Sequence, residues 1–188
     1  MGLRISLLAL VAALTVGVLP VQAAQKAEMS EEKKISAAYV KGMDQVNARQ
    51  WNAGIETLTG VIDNPKTSKD LQANALANRG AAYANKKNYD LAMNDFNKAL
   101  EIKPDLTNAY YERARLYAML GKHAEAVQDL DKVIGMAQPS SITAGYYYNR
   151  GISLMGMSPP QPEKAKSDFA MAKKLNPKLK IPVKYKDL

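Results

Sequence analysis

The chain has 188 residues and a formal net charge of +8, from 26 lysines and arginines against 18 aspartates and glutamates, and it contains no cysteine. The missing thiols exclude a disulfide, a thiolate nucleophile and a cysteine-ligated metal. Most of the basicity belongs to one end: Glu163 to Leu188 holds eight lysines against Glu163, Asp168 and Asp187. Such an end attracts an acidic partner, an anionic lipid or a wall polyanion by steering, and serves equally well as a solvated tail.

The first element is a targeting signal. Arg4 gives a positive start, Ile5 to Leu19 is almost wholly apolar, Pro20 breaks the run, and Val21-Gln22-Ala23 has the small-x-small form of a cleavage site. The run is short for a membrane span, which needs about 20 residues. An uncleaved anchor is the alternative, and a cut after Ala24 would serve as well. The expectation is a signal peptide over 1–23 and an exported protein, periplasmic or secreted, with the bacterial envelope as its destination. About 165 residues then remain, enough for one domain.

A polar linker and the start of a helix fill 24–34, with Ser30-Glu31-Glu32 as its opening. From there two helices alternate. Gly80, Tyr83, Ala92, Phe96 and Ala99 are each followed 34 residues later by Ala114, Tyr117, Ala126, Leu130 and Val133. A recurrence of this length marks a stacked supersecondary unit. In the clearest unit Leu76, Gly80, Tyr83 and Ala84 share one side of the first helix. Asn85 to Asn88 makes a polar turn, Ala92, Phe96, Ala99 and Leu100 line the second helix, and Pro104 ends it. Asp105 and Thr107 offer caps for the next helix. The same register places units at about 35–68, 73–106, 107–140 and 144–177, the first most diverged and the last carrying two extra residues in a proline-rich turn (Ser158 to Pro162).

These residues resemble the tetratricopeptide repeat. The pattern large-x2-Leu-Gly-x2-Tyr, Ala-x3-Phe, Pro is met by Leu76, Gly80, Tyr83, Ala92, Phe96 and Pro104, and by Tyr147, Gly151, Leu154, Ala165, Phe169 and Pro177. The resemblance covers about Ile35 to Pro177. It implies an all-α, right-handed α-solenoid of helix-turn-helix units whose first helices line a concave groove, and a scaffold or adaptor that binds a protein or peptide there.

One departure recurs. Where the family pattern has leucine before the small residue, three units have Arg79, Arg113 and Arg150, each followed by Asp95, Asp129 or Asp168, while the first unit has Lys41 and Thr57. Joint presence and joint absence point to a repeated ion pair, within a unit or to its neighbour. On the groove side the candidate binding residues are Tyr39, Met43, Asn78, Tyr111, Arg115, Met119, Tyr148, Asn149, Ile152 and Met155. Aromatics and methionines would grip an extended or helical segment and the amides would bond its backbone. The alternative is that these side chains pack the inner helix faces.

No catalytic set is legible. His123 is the only histidine and takes the packing place of Trp51 and Tyr89. There is no phosphate loop and no nucleophile elbow, so the expectation is neither enzyme nor cofactor or metal protein, and no specific nucleic-acid binding. The basic tail, 178–188, alternates Leu179, Ile181, Val183 and Tyr185 with polar residues and Pro182. It covers the end of the solenoid, enters the groove, adds as a strand to a partner, or stays disordered. Two further readings therefore stand beside the adaptor. One is an anion- or envelope-surface-binding module acting through the lysine-rich end. The other is self-association through the end of the stack.

Overall fold

The computed structural model describes residues 30–182 and Tyr185; the signal segment and the first part of the linker lie outside the described residues. Eight helices are described and no strand is found among these residues: α1 (30–47), α2 (Trp51–Asp63), α3 (Lys69–Asn85), α4 (Tyr89–Ile102), α5 (Thr107–Met119), α6 (His123–Met136), α7 (Ala144–Gly156) and α8 (Pro162–Leu175). Each consecutive pair forms one antiparallel unit, and the units stack into a solenoid.

The turn inside each unit is set by its backbone. Arg49, Lys87 and Gly121 occupy equivalent places with φ of 61°, 64° and 73°. The next residue then closes the helix end: Gln50 N–H donates to the Gln45 carbonyl at 2.8 Å, Asn88 N–H to Tyr83 at 2.9 Å, and Lys122 N–H to Tyr117 at 2.9 Å. This left-handed closure satisfies carbonyls that the helix leaves open, and only Gly121 enters it without a Cβ penalty. The fourth unit keeps the same acceptor despite its insertion, with Gln161 N–H donating to the Leu154 carbonyl at 3.0 Å. The cap of α5 differs from expectation: Leu106 precedes its first turn, and neither Asp105 nor Thr107 makes a side-chain cap bond. The Leu106 carbonyl accepts from the Ala109 and Tyr110 N–H groups, and the buried Leu106 side chain joins the core of Leu76, Leu100 and Ala109. Apolar anchoring thus fixes this entry.

Close approach explains the small residues. A Cβ built on Gly80 would lie 2.8 Å from Phe96 Cε1 and 3.2 Å from the Ala92 carbonyl oxygen, and one on Gly151 would lie 2.7 Å from Phe169 Cε1. Phe96, Leu58, Leu116, Leu130 and Val133 are almost wholly sealed from water between the layers. At such contacts the helices interlock at interior density.

The ion pairs bind the stack together. Arg79 donates Nε to Asp95 Oδ2 and Nη2 to Asp95 Oδ1, both at 2.8 Å, while Nη1 reaches Thr59 Oγ1 of the preceding unit at 2.9 Å. Arg113 repeats this with Asp129 at 2.8 Å twice and Asn97 Oδ1 at 2.7 Å. Arg150 does so with Asp168 at 2.8 and 2.7 Å and Asp131 Oδ1 at 2.7 Å. Thr59, Asn97 and Asp131 sit at one equivalent position on successive second helices, so each guanidinium holds its own unit with two bonds and the unit before it with a third. The aspartates are buried at 1%, 4% and 4% exposure. Tyrosine rings beside the guanidiniums, Tyr83 under Arg79 at 5.8 Å and Tyr147 under Arg150 at 5.6 Å, add cation–π attraction. Removing one partner strands a buried charge. Arg113→Ala or Asp129→Ala should therefore lower stability by about 3 kcal/mol, and the double variant should fall short of additivity by about 1–3 kcal/mol in urea unfolding.

Candidate functional site

The groove is built by α1, α3, α5 and α7, the first helix of each unit. Its side chains are first partners of one another. Asn78 on α3 donates Nδ2 to the Tyr39 hydroxyl of α1 at 3.0 Å, and to its own helix at the Asn74 carbonyl at 3.0 Å. Asn149 on α7 donates Nδ2 to the Tyr111 hydroxyl of α5 at 2.9 Å. These two bonds tie unit one to two and unit three to four. At the middle junction the equivalent places hold Ala77 and Glu112, and no such tie is made. Burial pushes the Tyr39 and Tyr111 phenols above the ordinary tyrosine range, with the amide bonds pulling the other way. The tyrosines and amides thus fix the angle between neighbours, each hydroxyl accepting from the amide of the next unit.

Around α5 the arrangement is denser. The Tyr111 ring lies 4.9 Å from Tyr146 in a tilted pair, and the Arg115 guanidinium sits 5.9 Å from the Tyr111 centroid. Arg115 Nη1 donates to Glu112 Oε2 at 2.8 Å, with Glu112 largely buried and Arg115 half exposed. Burial raises the Glu112 carboxyl, and Arg115 partly offsets this. Between α5 and α7 an open cavity of about 290 Å³ is lined by Arg115, Met119, Asn149, Ile152 and Ser153, with Leu130 at its base. Four of the ten residues singled out from the sequence meet there. Met119 is 62% exposed at its rim.

Ser153 was not among them. It is fully buried, its hydroxyl has no hydrogen-bond partner in the protein, and it lines the cavity. The signal for it is a hydroxyl where the second and third units place the buried Ala82 and Leu116. The other sequence candidates divide. Tyr39, Met43 and Asn78 belong to the opposite end of the groove. Tyr148, Ile152 and Met155 pack against the core of Leu154, Ala165 and Phe169, with Tyr148 and Phe169 centroids 6.1 Å apart. Asn78 spends its amide donors on the Tyr39 hydroxyl and the Asn74 carbonyl, whereas Asn149 gives one to the Tyr111 hydroxyl and lines the cavity. His123 lies half-buried against Gly156, where a Cβ would meet its ring at 2.4 Å. Among the described residues no group of three or more His, Asp or Glu side chains is placed to hold a metal ion, and no helix is long and apolar enough to cross a membrane.

Known proteins place this geometry. Tetratricopeptide repeat models match residues 73–106 and 96–128. Human mitochondrial import receptor subunit TOM70 is 34% identical over 91 residues, 48% of this chain and 15% of that protein. Tetratricopeptide repeat protein 36 of Caenorhabditis elegans is 34% identical over 83 residues, 44% of this chain and 45% of that one. The chain thus spans less than half the length of either relative. The solved structure of MamA from Desulfovibrio magneticus RS-1, residues 41 to the end, superposes with a TM-score of 0.63 at 22% identity, over 81% of this chain and 79% of that one. At that identity the likeness is one of fold. Residues 73–128 carry tetratricopeptide repeats, and the described chain is folded as an all-α solenoid.

The buried carboxyl gives a pH signature. A carboxyl raised by folding holds its proton more tightly in the native state. Its contribution to stability is full below the ordinary glutamate range and is lost as pH rises through the raised value. Ionised Glu112 is therefore a burden near neutrality. Glu112→Gln, which keeps an oxygen for Arg115, should raise Tm at pH 7 by about 2 °C. That gain should vanish below about pH 4, where both forms are neutral, in melting curves taken across the range.

Proposed function

We propose that the protein is an exported adaptor that holds an extended or helical segment of another protein in its groove, with the α5–α7 cavity as the anchoring point. The observation that carries this is the convergence of Arg115, Met119, Asn149 and Ile152 on one open cavity whose wall includes the unpartnered hydroxyl of Ser153. A partner's apolar side chain fits between Met119 and Ile152. The half-exposed Arg115 receives an acid or a carbonyl at the rim. Methionine at the mouth adapts to more than one apolar shape. The tetratricopeptide repeats support a protein-binding role by analogy of fold. No convergent catalytic group accompanies the cavity, which favours binding over turnover.

The groove test is direct. A library of immobilised ten-residue peptides should yield sequences with an apolar anchor. Met119→Asp and Ile152→Asp should each weaken the best of them by about tenfold or more, the loss expected of a central contact. Equal affinity across these variants moves the site out of the groove.

Export rests on the apolar run after Arg4 and the Val21-Gln22-Ala23 sequence. Terminal sequencing of the protein recovered from the envelope fraction of an expressing bacterium should begin at Ala24 or Gln25. An intact Met1 terminus in the cytosolic fraction refutes export.

A further inference from the structure

A second cavity lies beyond α8, at the opposite end of the last unit from the preceding repeats. After α8 the chain turns at Asn176 and Pro177, with the Lys178 N–H donating to Asn176 Oδ1 at 3.1 Å and the Leu179 N–H to the Asn176 carbonyl at 3.0 Å. The turn lays Leu179, Ile181 and Pro182, each half-buried, alongside the helix. Tyr185 stacks on Phe169 with centroids 5.5 Å apart and planes 20° from parallel. Ile181 and Tyr185 join the apolar cluster of Leu154, Ala165 and Phe169. The tail thus forms a second wall facing α8, and a cleft of about 1030 Å³ remains between them.

Its lining has two halves. The stacked rings and the tail's apolar side chains make a floor, and Lys166, Lys173, Lys178 and Lys180 stand around it. No carboxylate lines it among the described residues. The volume is at the upper end of those that hold small molecules, about 300–1,000 Å³. Lysine stems extend along apolar surface and keep their ammonium groups in water, so the charges gather at the mouth. Four exposed like charges around one apolar floor together attract an anion more strongly than any one of them does alone. A simple anion leaves the floor wet, and a neutral apolar molecule leaves the charges unmatched.

We propose that this cleft binds an amphipathic anion, with its apolar chain over Leu179 and Ile181 and its anionic head among Lys166, Lys173, Lys178 and Lys180. The site is separate from the α5–α7 groove and does not depend on it. Calorimetric titration of the full chain with decanoate, below its micelle concentration, tests the idea. Decanoate should bind one per chain, and the Lys173→Gln/Lys180→Gln variant should bind it at least tenfold more weakly. Both lysines are exposed, and an unchanged far-ultraviolet circular dichroism spectrum verifies that the variant is folded. Arg115→Ala should bind decanoate as the unaltered chain does. Acetate, a head without a chain, and decyl maltoside, a chain without an anion, should each bind at least tenfold more weakly than decanoate. Equal affinity of decanoate for the double lysine variant overturns the proposal, as does equal affinity for decyl maltoside. Binding to phosphatidylglycerol vesicles with none to monomeric decanoate also overturns it, since that identifies an adsorbing surface in place of a cleft.

Discussion

The arginine fork is the constraint on which the stacking depends. In a solenoid each unit touches only its neighbours, so an error of angle at one junction propagates along the whole superhelix. Apolar contacts between alanine-rich faces oppose sliding only weakly, because one small side chain replaces another with little loss. A planar guanidinium that must meet two carboxylate oxygens and a third acceptor admits one geometry. Arg79, Arg113 and Arg150 impose it at three successive junctions, each joining a first helix to its own second helix and to the second helix before it. Desolvation offsets much of the attraction. The contribution of the fork is therefore to the register of the stack more than to its total stability.

The inner face is held differently. Tyrosine–amide bonds close the first and third junctions, while the second has Ala77 opposite Glu112, which turns along its own helix to Arg115. The groove thus alternates between tied and untied junctions although the arginine side is tied throughout. Glu112 also neutralises most of the charge that Arg115 brings. The cavity there is lined by Met119, Asn149 and Ile152 beside the half-exposed Arg115, in contrast to the lysine-rich end.

The period, the two-helix unit and the small residues at the crossings were all legible in the sequence, because packing at fixed spacing leaves a mark at Gly80, Ala92, Ala114 and Ala126. The pairing of Arg113 with Asp129 was legible for the same reason: a contact present in three units and absent as a pair from the first appears as correlated residues. What lay beyond sequence reasoning was contact between units whose residue types change from one junction to the next. The third bond of each arginine goes to a threonine, an asparagine or an aspartate, so its acceptor has no single residue type to follow. Tyr39 and Asn78 lie 39 residues apart and Tyr111 and Asn149 lie 38 apart, and the missing middle pair hides the rule. Leu106 displaced Asp105 and Thr107 at the start of α5 because burial outweighed a polar cap.

The tail shows how a solenoid end becomes something other than another repeat. A next first helix would pack on Phe169 through small residues, as α5 packs on the unit before it. Pro177 and Pro182 bar a continuous helix there, and an extended segment is too thin to fill the space a helix would occupy. Among the described tail residues Ile181 and Tyr185 reach the apolar surface, and the space beside α8 stays open as the cleft. The lysines of α8 and the tail then meet across that gap, and among the described residues no carboxylate lines it. In the groove, by contrast, Glu112 lies within 2.8 Å of Arg115. Incomplete packing by an extended chain and unbalanced charge arise from the same short stretch of sequence. Together they make this end chemically unlike the surface the repeats present along their length.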